Sequence, residues 1–97
     1  MKEERCLTRC VTAPVLEEVL YRGFVLPALL HLMPLALALP ASALLFALHH
    51  SSLHGLLPLT FLGLVWGGLY TRSQNLLVPI AIHTLWNVRV FALTVLA

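Results

Sequence analysis

The chain has 97 residues, of which 60% are hydrophobic and only 10% charged, with a mean hydropathy of +0.92, whereas soluble domains carry about 25% charged residues. A soluble fold of this size has too much surface for its volume to cover so much apolar side chain, so the composition excludes an ordinary soluble domain and points to a membrane-embedded one. The net charge of +2 comes mostly from the opening stretch MKEERCLTR, and no basic stripe follows it, which argues against a nucleic-acid partner.

Residues 1 to 11 read as a polar, juxtamembrane tail and residues 12 to 97 as one membrane domain. Cys6 and Cys10 have neither the spacing of a redox pair nor further cysteines for a zinc site. Thr12 offers an N-cap and Pro14 suits a first turn, so a helix is predicted from about Ala13 to about Met33, with Pro27 as a possible kink. A second helix is predicted from about Pro40 to the HHSS stretch at residues 49 to 52; it is too short to span a membrane unless PLALAL from Pro34 extends it. A third runs from Leu53 or Gly55 to Tyr70, and a polar turn, TRSQN, covers residues 71 to 75. A fourth runs from about Leu76 to about Leu96 with Pro79 in its first turns. Gly63 and Gly67 have the G-x-x-x-G spacing that lets membrane helices approach closely. From Gly23 to Thr71 there is no Asp, Glu, Lys or Arg. The fold class is therefore all-α, an integral-membrane bundle of about four helices.

Within this apolar chain, polar residues cluster in three places. In APVLEEVLYRG, Glu18 and Arg22 are one helical turn apart and can pair, while Glu17 points about 100° away and stays free. A charge at membrane depth costs roughly 3 kcal/mol or more, so such residues usually face a cavity and mark function. In FALHHSSLH, three histidines gather at the end of the second helix. His50 and His54 could share a face and hold zinc if the helix persisted, but Ser51, Ser52 and Gly55 argue that it has ended. His31 and His54 are read as structural. In HTLWN, His83 and Asn87 are one turn apart on the fourth helix and point the same way. Three clusters on three helices most economically meet in one cavity.

A free carboxylate beside a histidine can take a proton from water, and a second histidine with an asparagine amide can donate hydrogen bonds to the oxyanion formed when that water attacks an amide. No Ser-His-acid or Cys-His triad is evident, and the strand–turn–helix setting of a nucleophile elbow is absent.

APVLEEVLYRG resembles the E-E-x-x-x-R motif, Phe46 to His50 the F-x-x-x-H motif, and HTLWN the H-x-x-x-N motif of the CAAX protease and bacteriocin-processing family, also called the Abi family. The F-x-x-x-H spacing selects His50 over His49. The resemblance implies an integral-membrane endopeptidase of the type II CAAX prenyl endopeptidase kind, with membrane lipid around it and a peptide or prenylated protein as substrate. By that likeness Glu17 and His50 would activate water, His83 and Asn87 would form the oxyanion site, and Glu18 with Arg22 would organise the helix. The family has been described both as metal-dependent and as a metal-free glutamate protease; the absence of an H-E-x-x-H trio favours the second, so no cofactor is expected and zinc is the alternative. Members usually carry several more membrane helices before the first motif, so by this resemblance the chain is expected to be the core domain alone or a truncated gene product. A bacterial or plastid membrane is compatible with the sequence, and Lys2, Arg5 and Arg9 against Arg72 put the amino terminus on the cytoplasmic or stromal side. Two other readings compete: a non-catalytic immunity or scaffold protein that binds peptides or partners, and a metal-binding or transport fragment using His49, His50 and His54.

Overall fold

Apolar runs punctuated by proline set the order of the elements. The computed structural model describes residues 2–50 and 53–96, and among them every regular element is helical. The sequence-based statements about Ser51 and Ser52 fall outside the described residues. The first helix, α1, covers residues 2 to 30 as a succession of Lys2–Leu7, a π turn Thr8–Thr12, Ala13–Leu20, a second π turn Tyr21–Val25, and Leu26–Leu30. Then follow α2 (Leu35–His49), α3 (Leu56–Ser73) and α4 (Leu77–Leu96).

Helix α1 corrects the expected start at Ala13. Thr12 is itself helical, with φ −61° and ψ −50°, and its side chain caps nothing. The charged opening stretch thus forms the first turns of the helix. Proline removes a donor and crowds the carbonyl four residues back, which ordinarily ends or kinks a helix. Here each proline follows a π turn in the same register: Ala13 donates to Thr8 before Pro14, and Leu26 donates to Tyr21 before Pro27. The wider turn takes up the misfit, and such π turns often lie at functional sites.

Helix α2 begins at Leu35, not near Pro40, so the PLALAL extension is the arrangement adopted. Pro34 supplies the extended N-cap, with ψ 162°, and Pro40 is left inside the helix. At the other end of α3 the helix continues through Thr71, Arg72 and Ser73, which shortens the expected polar turn. Gln74 takes a left-handed conformation at φ 53° and donates its backbone N–H to Tyr70, while the Asn75 side-chain oxygen accepts from the Leu77 N–H to start α4.

Small residues bring α2 and α3 together. A Cβ added at Gly63 would lie 3.0 Å from the Cα of Ala43, and one at Gly67 would lie 2.5 Å from Leu39 Cδ1. The facing stripe of α2 includes Ala38, Ser42, Ala43 and Ala47, all buried. Tyr21, Phe46 and Trp66 form the aromatic core where α1, α2 and α3 meet. The distribution of polarity is inverted relative to a soluble domain: Leu16 is 64% and Phe24 69% exposed, while Glu18 and Arg22 on the same helix are fully buried. Helix α4 is long and apolar enough to cross a membrane, and α2 is apolar but shorter.

Candidate active site

Glu17, Glu18 and Arg22 project from the middle of α1, His50 from the residue that ends α2, Trp66 from α3, and His83 and Asn87 from α4. These helices enclose a cleft of about 380 Å³ lined by Glu17, His50, His83 and Asn87 among apolar side chains that include Phe46, Trp66 and Trp86. The structure thus brings together the residues singled out on three separate sequence segments.

The two adjacent glutamates lie in different surroundings. Glu18 is fully buried behind the cleft: its Oε2 lies 2.8 Å from His83 Nδ1, and its Oε1 lies 3.4 Å from Arg22 Nε. Arg22, also fully buried, donates from Nη2 to the Gly63 carbonyl at 2.8 Å and lies over the Phe46 ring, 5.2 Å from its centroid. A buried guanidinium needs this counter-charge and these acceptors, because an unpaired charge in a low-dielectric interior is costly. Glu17, by contrast, is 22% exposed and borders the open cleft. Its Oε1 is 3.5 Å from His83 Nε2 and its Oε2 is 3.7 Å from His50 Nε2. It stands between two imidazoles without a short hydrogen bond to either.

Both imidazoles are oriented from behind. His50 Nδ1 lies 2.7 Å from the carbonyl oxygen of Phe46; a carbonyl only accepts, so that nitrogen carries the proton and Nε2 faces Glu17. His83 is fixed in the same way by the Glu18 carboxylate, and its ring stacks on Trp66 with centroids 5.2 Å apart and planes 18° apart. Neighbouring His49 turns away from the cleft toward Tyr21, 5.9 Å between ring centroids. His31 and His54 are exposed and do not line the cleft.

Several partners had no signature in the sequence. The Asn87 amide donates to the backbone carbonyl of Arg9 at 2.8 Å, and Gly63 contributes a carbonyl besides its small size. Backbone acceptors leave no trace in residue type. Trp66 was visible only as the aromatic residue inside GLVWGG, one helical turn from Gly63, and its packing on His83 could not be read from that. Helical spacing pairs Glu18 with Arg22 alone, yet Glu18 also holds His83.

The all-α bundle thus hides a Glu-Arg pair and opens a Glu-His-His-Asn cleft in an apolar shell. The chain belongs to the type II CAAX prenyl endopeptidase Rce1-like family, whose model matches residues 5–89. It is also similar to "Putative membrane peptidase YdiL" of Bacillus subtilis (strain 168), with 31% identity over 77 residues that cover 79% of this chain and 32% of that protein. The chain therefore spans about a third of the length of that curated relative. No solved structure matches it significantly.

Proposed function

We propose that the chain is the catalytic core of an integral-membrane endopeptidase that hydrolyses peptide bonds with water activated by Glu17. The observation that carries this reading is the convergence of Glu17, His50, His83 and Asn87 on one cleft, with Glu18 and Arg22 sealed behind it. Membership of the family and the likeness to the Bacillus subtilis protein support a peptidase, and the exposed apolar side chains of α1 together with the length of α4 support insertion in lipid.

In this mechanism Glu17 takes a proton from a water molecule in the cleft while the lone pair of His50 Nε2 holds that water in place. The oxygen attacks the carbonyl carbon of the peptide. Negative charge on the former carbonyl oxygen is met by the Asn87 amide and by His83 Nε2 when that ring carries its second proton. Glu17 then returns its proton to the departing nitrogen, the C–N bond breaks, and a carboxylic acid and an amine are released. Glu18 and Arg22 stay out of the proton transfer and position His83.

Two imidazoles and a carboxylate are chemically able to bind zinc. Among the described residues no group of three or more His, Cys, Asp or Glu side chains is disposed to hold a metal, which supports the metal-free reading. No step is therefore routed through a metal. The substrate in this reading is a peptide or a prenylated protein reached from the surrounding lipid.

The test is cleavage of prenylated and unprenylated reporter peptides by the purified full chain in detergent, with and without a chelator. Chelator-resistant cleavage is expected. Peptide binding without turnover would favour a scaffold or immunity protein, and activity lost to chelator and restored by zinc would overturn the metal-free mechanism.

A further inference from the structure

We infer that the indole N–H of Trp66 is a further oxyanion donor, hydrogen-bonding the oxygen of the scissile carbonyl as negative charge builds on it. This deepens the peptidase reading and rests on it.

The need for another donor follows from how the assigned ones are engaged. His83 commits its Nδ1 proton to Glu18 at 2.8 Å, so a neutral His83 ring offers the cleft only the lone pair of Nε2. Asn87 commits one amide hydrogen to the Arg9 carbonyl, also at 2.8 Å. Apart from the second Asn87 amide hydrogen, the assigned groups offer no uncommitted donor that works without a change of protonation, and such fixed donors are what stabilise a developing oxyanion most effectively.

Trp66 supplies one. The residue is 3% exposed, and its Nε1 has no hydrogen-bond partner among the described residues. Buried tryptophan N–H groups usually find an acceptor, because the group can only donate and loses water on burial. An orphan in a folded protein calls for an explanation. The ring is stacked on His83, lines the cleft, and also lines an adjoining cavity of about 470 Å³ walled by apolar residues such as Phe61, Ile82 and Trp86. The side chains around that cavity provide no acceptor. A peptide carbonyl entering beside His83 brings one, and it meets a donor already stripped of water. A carbonyl reaches this buried N–H only if a neighbouring ring shifts, and the Trp86 ring, exposed and with its centroid 6.4 Å from that of Trp66, is placed to do so.

Trp66→Phe retains an aromatic ring on His83 and removes only the donor. The expected result is a fall in kcat of roughly 100-fold, the size found for loss of one oxyanion-hole donor, with KM and the unfolding temperature little changed. Unchanged kcat overturns the donor role and leaves the peptidase reading standing; a change confined to KM also overturns it, since the contact would then lie on a non-reacting part of the substrate. No turnover by the wild type overturns the peptidase reading itself. A second measurement does not depend on the variant folding. The chain has two tryptophans, so the indole N–H region of an NMR spectrum contains two side-chain signals. On titration with a peptide aldehyde, whose hydrate has tetrahedral geometry, the Trp66 signal should move downfield and exchange more slowly with solvent. A bound aldehyde that leaves this signal unmoved would show that the N–H is satisfied by the face of Trp86 or by nothing, and the inference would be wrong.

Discussion

Glu18 Oε2 lies 2.8 Å from His83 Nδ1, joining the first and last helices across 65 positions of sequence. Through its other oxygen the same carboxylate faces Arg22, which in turn donates to Gly63 on α3. Glu18 and Arg22 therefore tie three helices together, and Glu18 sets the ring of His83. Its neighbour Glu17 borders the cleft with one oxygen 3.5 Å from His83 Nε2 and the other 3.7 Å from His50 Nε2, so two identical residues in adjacent positions have different work.

Replacing Glu18 by Gln should harm both stability and activity. The Arg22 guanidinium would remain fully buried without its counter-charge, a defect that costs on the order of 3 kcal/mol when one partner of a buried pair is removed. His83 would also lose the carboxylate that fixes its orientation, so cleavage by the fraction that stays folded should fall as well. Thermal unfolding in detergent, paired with peptide turnover below the transition, separates the two effects. An unchanged unfolding temperature would contradict the structural role given to the Glu18–Arg22 pair.

The glycines of α3 predict a contrast between near neighbours. A Cβ at Gly63 would press on the backbone of Ala43 at 3.0 Å, whereas one at Gly68 meets nothing within 4 Å. Gly63→Ala should destabilise by about 1–3 kcal/mol through overpacking. Gly68→Ala should be neutral or stabilising by up to roughly 1 kcal/mol, the helix-propensity gain over glycine. Unfolding temperatures for the two variants check this, and equal effects would argue against close α2–α3 contact.

The balance of Arg5 and Arg9 with Lys2, set against Arg72 at the end of α3, predicts an amino terminus on the cytoplasmic or stromal side. Cys6 is partly exposed and Cys10 buried, so Cys6 is the site to label, with Cys10→Ser removing the second thiol. A membrane-impermeant maleimide should react from the inner side only. Labelling from outside in intact cells would reverse the assignment.

Much of the site was legible because charge is conspicuous in an apolar chain. Glu17, Glu18, Arg22, His50, His83 and Asn87 are polar residues at helical spacings, and periodicity alone gives the faces they share. Helix boundaries are less legible where proline reads as a start signal: Pro14 lies within α1 because a π turn absorbs it, and Pro40 lies within α2 because Pro34 already supplies the N-terminus. The bond from Asn87 to the Arg9 carbonyl was not legible at all, since any residue type presents the same backbone oxygen. Nor could spacing reveal that Trp66 packs on His83, which depends on how α3 and α4 are rotated against each other.

The most direct test of the central claim is the turnover of a reporter peptide by Glu17→Gln beside the wild type, with substrate binding and unfolding temperature measured on the same samples. Gln preserves shape and hydrogen bonding but cannot take the proton from water. Turnover should drop roughly 100-fold or more, while binding and unfolding stay near the wild-type values because Glu17 makes no short contact in the cleft. A Glu17→Gln protein that cleaves as fast as the wild type would contradict the account.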